Sequence, residues 1–348
     1  MVEWKKLGDF IDYEQPTPYL VESTDYDDSY SIPVLTAGQS LLLGYTNETD
    51  GVYRASKHNP TIIFDDFTTS FHWIDFDFKI KSSAMKMLRP KIGVNFRYIY
   101  YTMLQINFVP TQHQRHWISK YSQFQIPIPS LSEQARIVGI LDTFTACIAN
   151  LKEQIGERRR QYEHYRDQLL DLEGKEGVEM KMLGDVCMVN RGVRVVKKEL
   201  QEEGTIPVFQ NSIAPMGFYH KSNYRANVPY IICAGSSSGD IGFCTVPFWA
   251  ADDCVCVDSE GDIDNKFIYY FLQVKRSFLK TRVRNGAMPR LSRGVIEQLL
   301  IPILPLSEQS RIVNILDQFE ASIANLEAQL QEREKQYEHY REKLLTFE

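Results

Sequence analysis

Residues 131–173 read LSEQARIVGILDTFTACIANLKEQIGERRRQYEHYRDQLLDLE, and residues 306–348 read LSEQSRIVNILDQFEASIANLEAQLQEREKQYEHYREKLLTFE. One segment is thus written twice, 175 residues apart, with 28 of 43 positions identical. In the first copy Leu141, Phe144, Ile148, Leu151, Ile155, Tyr162, Tyr165, Leu169 and Leu172 alternate at steps of three and four, the spacing of a coiled-coil seam. Arg158 is the one interruption. The second copy repeats the pattern with Leu316, Phe319, Ile323, Leu326, Leu330, Tyr337, Tyr340, Leu344 and Phe347, and Arg333 takes the odd slot. Each seam spans 32 residues, which predicts rods of about 48 Å at 1.5 Å per residue.

The charges flanking the seams predict how the two helices pair. With Leu141 as an a position, Lys152, Arg159 and Arg166 form the e edge of the first helix, and Glu320, Glu327 and Glu334 that of the second. An antiparallel pair apposes these edges. Aligning Leu141 with Phe347 and Leu172 with Leu316 brings Lys152 near Glu334, Arg159 near Glu327 and Arg166 near Glu320. Exposed ion pairs contribute only a few tenths of a kcal/mol each, so they select orientation while the buried seam supplies stability.

The rest of the chain falls into two units around these helices. Residues 1–130 carry strand-like runs at Ile32–Leu35, Ser40–Tyr45, Thr61–Phe67 and Trp73–Ile80, and end at Ile126-Pro127-Ile128-Pro129, where proline excludes both helix interior and central strand. Ser132 is placed to cap the first long helix, with Glu133 in its first turn, and Gly139 is placed to kink it. Gly174-Lys175-Glu176-Gly177 reads as a linker. Residues 174–305 then echo the first unit: Leu7-Gly8-Asp9 returns as Leu183-Gly184-Asp185, Ile32-Pro33-Val34 as Ile206-Pro207-Val208, Ile62-Ile63 as Ile231-Ile232 and Ile126-Pro127-Ile128 as Ile301-Pro302-Ile303. The predicted fold is α+β: two mixed α/β domains (1–130 and 174–305) joined by two long helices (131–173 and 306–348) in an antiparallel coiled coil, a pseudo-two-fold tandem duplication. Helices kept nearly identical beside diverged globular units imply one shared task for the helices and two different targets for the units.

Composition narrows the class. At 348 residues, 43% hydrophobic and 24% charged, the chain has material for two or three ordinary globular cores. No window approaches the ~20 apolar residues of a membrane span, and the expected protein is soluble and cytoplasmic, with no membrane partner. Six cysteines are scattered, and Cys254-Val255-Cys256-Val257 reads as a buried strand, so neither disulfide nor metal site is expected. A net charge of -6 means that any nucleic-acid contact must rest on local patches.

The layout of unit, helix, unit, helix, together with the twice-written leads IPIPSLSEQARIVGILD and IPILPLSEQSRIVNILD, resembles the specificity subunits of type I restriction-modification systems over the full length of the chain. The resemblance implies that each globular unit is a target-recognition domain reading one half of a bipartite site in double-stranded DNA. It implies that the helices set the separation of the half-sites and dock two modification (methyltransferase) subunits, with restriction subunits joining through the complex. The subunit itself is then not an enzyme and holds no cofactor; S-adenosylmethionine, ATP and Mg²⁺ belong to its partners. The acidic first domain departs from this picture.

Two acid-free windows are the candidate DNA contacts: Lys79, Lys81, Lys86, Arg89, Lys91 and Arg97 in the first unit, and Lys275, Arg276, Lys280, Arg282, Arg284, Arg290 and Arg293 in the second. Phosphates attract such runs by counterion release, and arginine also reads guanine edges. The second window encloses the turn Asn285-Gly286-Ala287-Met288-Pro289. Arg115 aligns with Arg290 between the duplicates, and His113, His116 and Trp117 lie beside it. Asn59-Pro60-Thr61 resembles only the start of an adenine-methyltransferase motif, and no GxxxxGK[ST] loop occurs. Two other readings stand beside DNA recognition. One is a metal-dependent nuclease on Asp65, Asp66, Asp77 and Lys79, where Asp77-Phe78-Lys79 copies a D-x-K spacing. The other is a coiled-coil scaffold with no DNA contact.

Overall fold

The computed structural model describes residues 2–38, 40–110, 114–201, 204–259, 261–284 and 286–347; His113 and Asn285 of the sequence reading lie outside them. The chain divides into two compact units, Met1–Asn150 with Gln329–Glu348, and Leu151–Ala328.

The first unit opens with β1 (Glu3–Lys6), β2 (Ile11–Glu14), β3 (Ile32–Leu35), β4 (Leu42–Thr46), β5 (Thr61–Asp65), β6 (Phe71–Ile74), β7 (Lys79–Ile80), β8 (Met85–Pro90), the short helix α1 (Phe96–Met103) and β9 (Gln125–Ile128). The strands sort into an antiparallel sheet in the order β2-β8-β5-β6, a smaller sheet β4-β3-β7 and a ribbon pairing β1 with β9. A three-residue apolar run makes β5 a buried strand: Ile62, Ile63 and Phe64 are fully buried. The sequence predicts one strand from Trp73 to Ile80, and the structure breaks it. Asp77 accepts hydrogen bonds from the Ala55 amide and Arg54, so the chain leaves one sheet after Ile74 and enters the other at Lys79. Likewise β5 stops at Asp65, short of Phe67, because the Asp65 carboxylate accepts from the Phe67 and Thr68 amides and turns the chain.

Helix α2 (Leu131–Leu170) follows. It runs through Gly139 without interruption, and a Cβ there would meet nothing within 4 Å. The expected kink is therefore absent, because the ~1 kcal/mol cost of a helical glycine is easily outweighed where Ile137 and Leu141 are buried on either side. These two residues join Leu7, Tyr98, Ile99, Trp117 and Leu345 in the core of the first unit.

The second unit repeats the plan: β10 (Glu179–Met182), α3 (Leu183–Val186), β11 (Met188–Arg191), β12 (Ile206–Phe209), β13 (Gly217–Tyr219), β14 (Val228–Ile232), β15 (Ile241–Cys244), β16 (Trp249–Ala250), β17 (Cys254–Asp258), α4 (Asn265–Thr281), α5 (Arg293–Glu297), β18 (Leu300–Ile303) and α6 (Leu306–Leu345). Its sheets are β11-β17-β14-β15, β13-β12-β16 and the ribbon β10-β18, strand for strand the arrangement of the first unit. Cys254-Val255-Cys256-Val257 is a fully buried strand, and all six cysteines are free.

Each unit is fixed to its long helix by the same polar clamp. Gln134, 1% exposed, accepts from the Asn95 amide and donates to the Pro129 carbonyl. Gln309, 0% exposed, accepts from the Asp264 amide and donates to the carbonyls of Asp262 and Leu304. Asn95 and Asp264 are in turn the N-caps of α1 and α4. Two turns further along the long helices, Tyr101 donates to Asp142 at 2.5 Å and Tyr270 to Asp317 at 2.5 Å. Burial first, and the acceptor second, raise the pKa of both phenols.

Candidate nucleic-acid interface

In the first unit the acid-free window is acid-free in sequence only. Lys79 is buried and pairs with Glu48 at 2.8 Å. Burial works against the Glu48 carboxylate, yet the bond from Lys79 and those from the Ser23 and Glu22 amides hold its pKa below the usual range. Lys86, 2% exposed, pairs with Asp66 at 3.2 Å, and Asp66 also accepts from the Trp117 amide. These two lysines are structural, a correction forced by their positions on β7 and β8, where alternate side chains enter the interior. Arg89 reaches Glu14 at 2.7 Å, Lys91 reaches Asp12 at 3.5 Å and the Gly8 carbonyl, and Arg97 bonds Asp142 at 2.8 Å beneath Trp73. Lys81 and Arg115 are exposed and carry no ion pair among the described residues. His116 and Trp117 are buried.

In the second unit the window lies on surface elements. Arg276 and Lys280, near the end of α4, share Asp240 at 2.7 and 2.9 Å. Burial opposes ionisation of Asp240, but the two cations hold its pKa below the ordinary carboxylate value. Lys275 lies over the Phe271 ring and Arg282 over Phe278. Beyond α4 the chain makes a hairpin: the Arg284 amide donates to the Arg290 carbonyl at 2.9 Å and the Arg290 amide returns the bond at 3.1 Å. The loop between them exposes Met288 at its tip and is held to the sheet by Gly235 N to the Pro289 carbonyl and Leu291 N to the Cys233 carbonyl. Arg284, Arg290 and Arg293 line a cleft of about 310 Å³ together with Arg191 from the end of β11. Sequence reasoning passed over Arg191, which opens the short basic run Arg191, Arg194, Lys197 and Lys198 and lies 93 positions before Arg284; only the pairing of β11 with β17 brings it there.

The seam residues line the helices within each unit. In the first, Leu141 is buried, Phe144, Ile148, Leu330, Tyr337 and Leu344 are half-buried, and Phe144 stacks on Tyr340 at 5.3 Å between centroids. In the second, Leu151, Ile155 and Leu316 are buried, Tyr162, Leu169, Phe319, Ile323 and Leu326 are half-buried, and Tyr165 stacks on Phe319 at 5.5 Å. Tyr165 and Tyr340 themselves are exposed. Both stacks sit one turn from the alignment predicted from the seams, which put Leu344 opposite Phe144 and Ile323 opposite Tyr165. The interrupting arginines have a physical role: Arg158 lies over Phe319 and Arg333 over Phe144. Of the expected charge pairs, Arg159–Glu327 forms at 2.5 Å. Arg166 instead bonds Asp167 and lies over Tyr162, while Glu320 takes Lys266 and the Tyr162 hydroxyl. Leu172 lies beyond the end of α2 and Phe347 beyond the end of α6.

The nuclease residues do not converge. Asp65 caps a turn, Asp66 pairs with Lys86, Asp77 with Arg54 and Lys79 with Glu48. Among the described residues no group of three or more His, Cys, Asp or Glu is placed to hold a metal ion, and no helix is long and apolar enough to cross a membrane.

A doubled β-rich unit, each copy bolted through a buried glutamine to one of two long antiparallel helices, defines a class, and the chain belongs to it. It is a member of the type I restriction modification DNA specificity domain family, whose sequence model matches residues 1–158 and 175–335. It is 39% identical to the type I restriction enzyme EcoR124I/EcoR124II specificity subunit of Escherichia coli, over 99% of this chain and 94% of that one. A putative type I restriction enzyme specificity subunit of Haemophilus influenzae is 28% identical over 99% and 96%. The crystal structure of a type I restriction-modification S subunit from M. genitalium superposes with a TM-score of 0.74 at 17% identity, covering 100% of this chain and 97% of that one, so the fold is shared. This is a family of specificity subunits, not of catalytic ones.

Proposed function

We propose that the chain is the sequence-reading subunit of a type I restriction-modification assembly, in which each globular unit reads one half of a bipartite DNA site. Helices α2 and α6 set the spacing of the half-sites and dock two methyltransferase subunits, with restriction subunits joining through the complex. S-adenosylmethionine, ATP and Mg²⁺ act in those partners, in the cytoplasm. The observation that carries this reading is selective repetition. Strand order, clamp and seam positions recur in the two units, whereas the candidate surface cations, Arg115 and Arg290 excepted, fall at different places. A frame kept twice under two different surfaces fits one assembly task and two recognition tasks. DNA contacts are proposed for Lys81 and Arg115 in the first unit and for Lys275, Arg282, Arg284, Arg290 and Arg293 in the second.

The test is an exchange of residues 174–305 for the matching segment of a relative, followed by methylome sequencing of a host that also carries the modification subunit. One half of the methylated motif is expected to change while the other stays. Change in both halves, or in neither, overturns independent reading.

A further inference from the structure

The arginine cleft of the second unit asks for an anion. Arg284 and Arg290 stand directly opposite each other in a hydrogen-bonded pair, where like charges destabilise a hairpin. Arg191, on β11, donates Nε to the Asp252 carbonyl at 2.5 Å, which fixes its guanidinium at the cleft without neutralising it. Arg293 alone of the four has an acid, Glu297 at 2.7 Å, among the described residues. Four cations against one carboxylate around about 310 Å³, roughly ten times the ~30 Å³ share of a water molecule, leave room and charge for one bound anion.

The cleft is not part of the repeated frame. Residues that hold the architecture recur in both units, as Gln134 and Gln309 or Asp142 and Asp317 do. Arg191 does not: the repeated Leu7-Gly8-Asp9 and Leu183-Gly184-Asp185 set it against Gln15, which carries no charge. An arginine cluster that costs stability and serves no architectural need has a ligand to explain it. Concavity decides which one. Base edges lie recessed in a groove and are reached by protrusions, such as the exposed Met288 tip, whereas phosphates ridge outward and seat in a hollow.

We infer that the Arg191–Arg284–Arg290–Arg293 cleft is a phosphodiester clamp that fixes the register of the second unit on its half-site, with Arg191 a positioning residue and not a reader of sequence. This rests on the DNA-recognition reading above. The test uses the full chain in complex with its modification subunits, bound to a duplex carrying the methylated motif and to a scrambled duplex across a range of salt. Arg191→Ala and Arg284→Ala should each weaken binding on the order of tenfold on both duplexes and flatten the plot of log affinity against log salt by about one unit, with the methylated motif unchanged. Arg191→Lys, which keeps the charge, should keep the slope. Arg284 uses only its backbone to hold the hairpin, so its variant remains informative if Arg191→Ala unfolds. Wild-type affinity and slope in both alanine variants, with wild-type melting, would place the cleft off the duplex. A changed half-motif would make it a base reader and overturn the clamp. In both cases the wild-type complex still prefers its motif; loss of that preference in the wild type would instead overturn the DNA-specificity reading itself.

Discussion

Replacing Gln309 by alanine removes three hydrogen bonds from a fully buried position: the acceptor for the Asp264 amide and the donors to Asp262 and Leu304. A buried polar group left without a partner costs about 1–3 kcal/mol. With one amide and two carbonyls stranded, and water partly relieving them in the space left behind, the expected loss is about 3–5 kcal/mol for the second unit. Gln134→Ala strands one amide and one carbonyl, so the first unit should lose about 2–4 kcal/mol on the same scale. Amide hydrogen exchange read by fragment localises the effect. In Gln309→Ala the first turn of α4 should lose protection while α1 keeps it, and in Gln134→Ala the reverse. Gln309→Glu separates hydrogen bonding from shape. The isosteric carboxylate still accepts from Asp264 but cannot donate to two carbonyls, and it buries a charge, so at neutral pH it should destabilise at least as much as alanine. Native protection of α4 in Gln309→Ala, or a Gln309→Glu variant as stable as wild type, would refute the clamp.

Lys86→Ala should destabilise the first unit by about 3–5 kcal/mol, because it leaves the Asp66 carboxylate buried and unpaired; urea unfolding measures it, and a loss under 1 kcal/mol would return Lys86 to the surface. The pKa of Asp240 is lowered on folding, so its pairs with Arg276 and Lys280 contribute stability that is fully present above the unfolded value near ~3.9 and lost as pH falls through the folded one. The stability gap between wild type and Asp240→Asn should therefore be constant around neutrality and close in acid, and a gap that widens in acid would reverse the assignment. Inserting four residues into both helices, after Asn150 and after Ala328, where each passes from one unit to the other, adds ~6 Å to each rod. The unread spacer of the methylated motif should lengthen by up to about two base pairs with both half-motifs retained; a folded double insert that methylates the original spacing would show that the helices do not set it.

The parts of this fold that were legible in sequence are those governed by period. A seam recurring every three and four residues has one structural solution, and the repeated leads into the helices revealed the duplication before any contact was known. Its register was less legible. The charges used to choose it were exposed groups with other partners at hand: Arg159 met Glu327 as expected, but Arg166 found Asp167 and Glu320 found Lys266. The clamp was written in the quoted motif as Gln134 and Gln309, but a polar residue on a helix gives no sign that it is buried until its backbone partners are placed. Arg191 stands in a short basic run with Arg194, Lys197 and Lys198, but only strand pairing shows that it reaches the cleft.

The two basic windows diverge for a reason that belongs to topology. The first runs through β8, a strand with neighbours on both sides, β2 and β5. A cation there either points inward and must be paired, as Lys86 is, or points outward among acids on the adjoining strand, as Arg89 does, opposite Asp12 and paired diagonally with Glu14. The second runs from the last turns of α4 into a hairpin, where side chains fan out into solvent and the helix C-terminus itself favours positive charge. Similar runs of lysine and arginine thus supply two interior struts, Lys79 and Lys86, in one unit, and in the other a helix end and hairpin where Lys275, Arg282, Arg284 and Arg290 carry no ion pair among the described residues. On the proposed function, the ionic part of DNA affinity, and with it the salt dependence, should reside mainly in the second unit, while the first should rely on shape, polar contacts and the exposed cations Lys81 and Arg115.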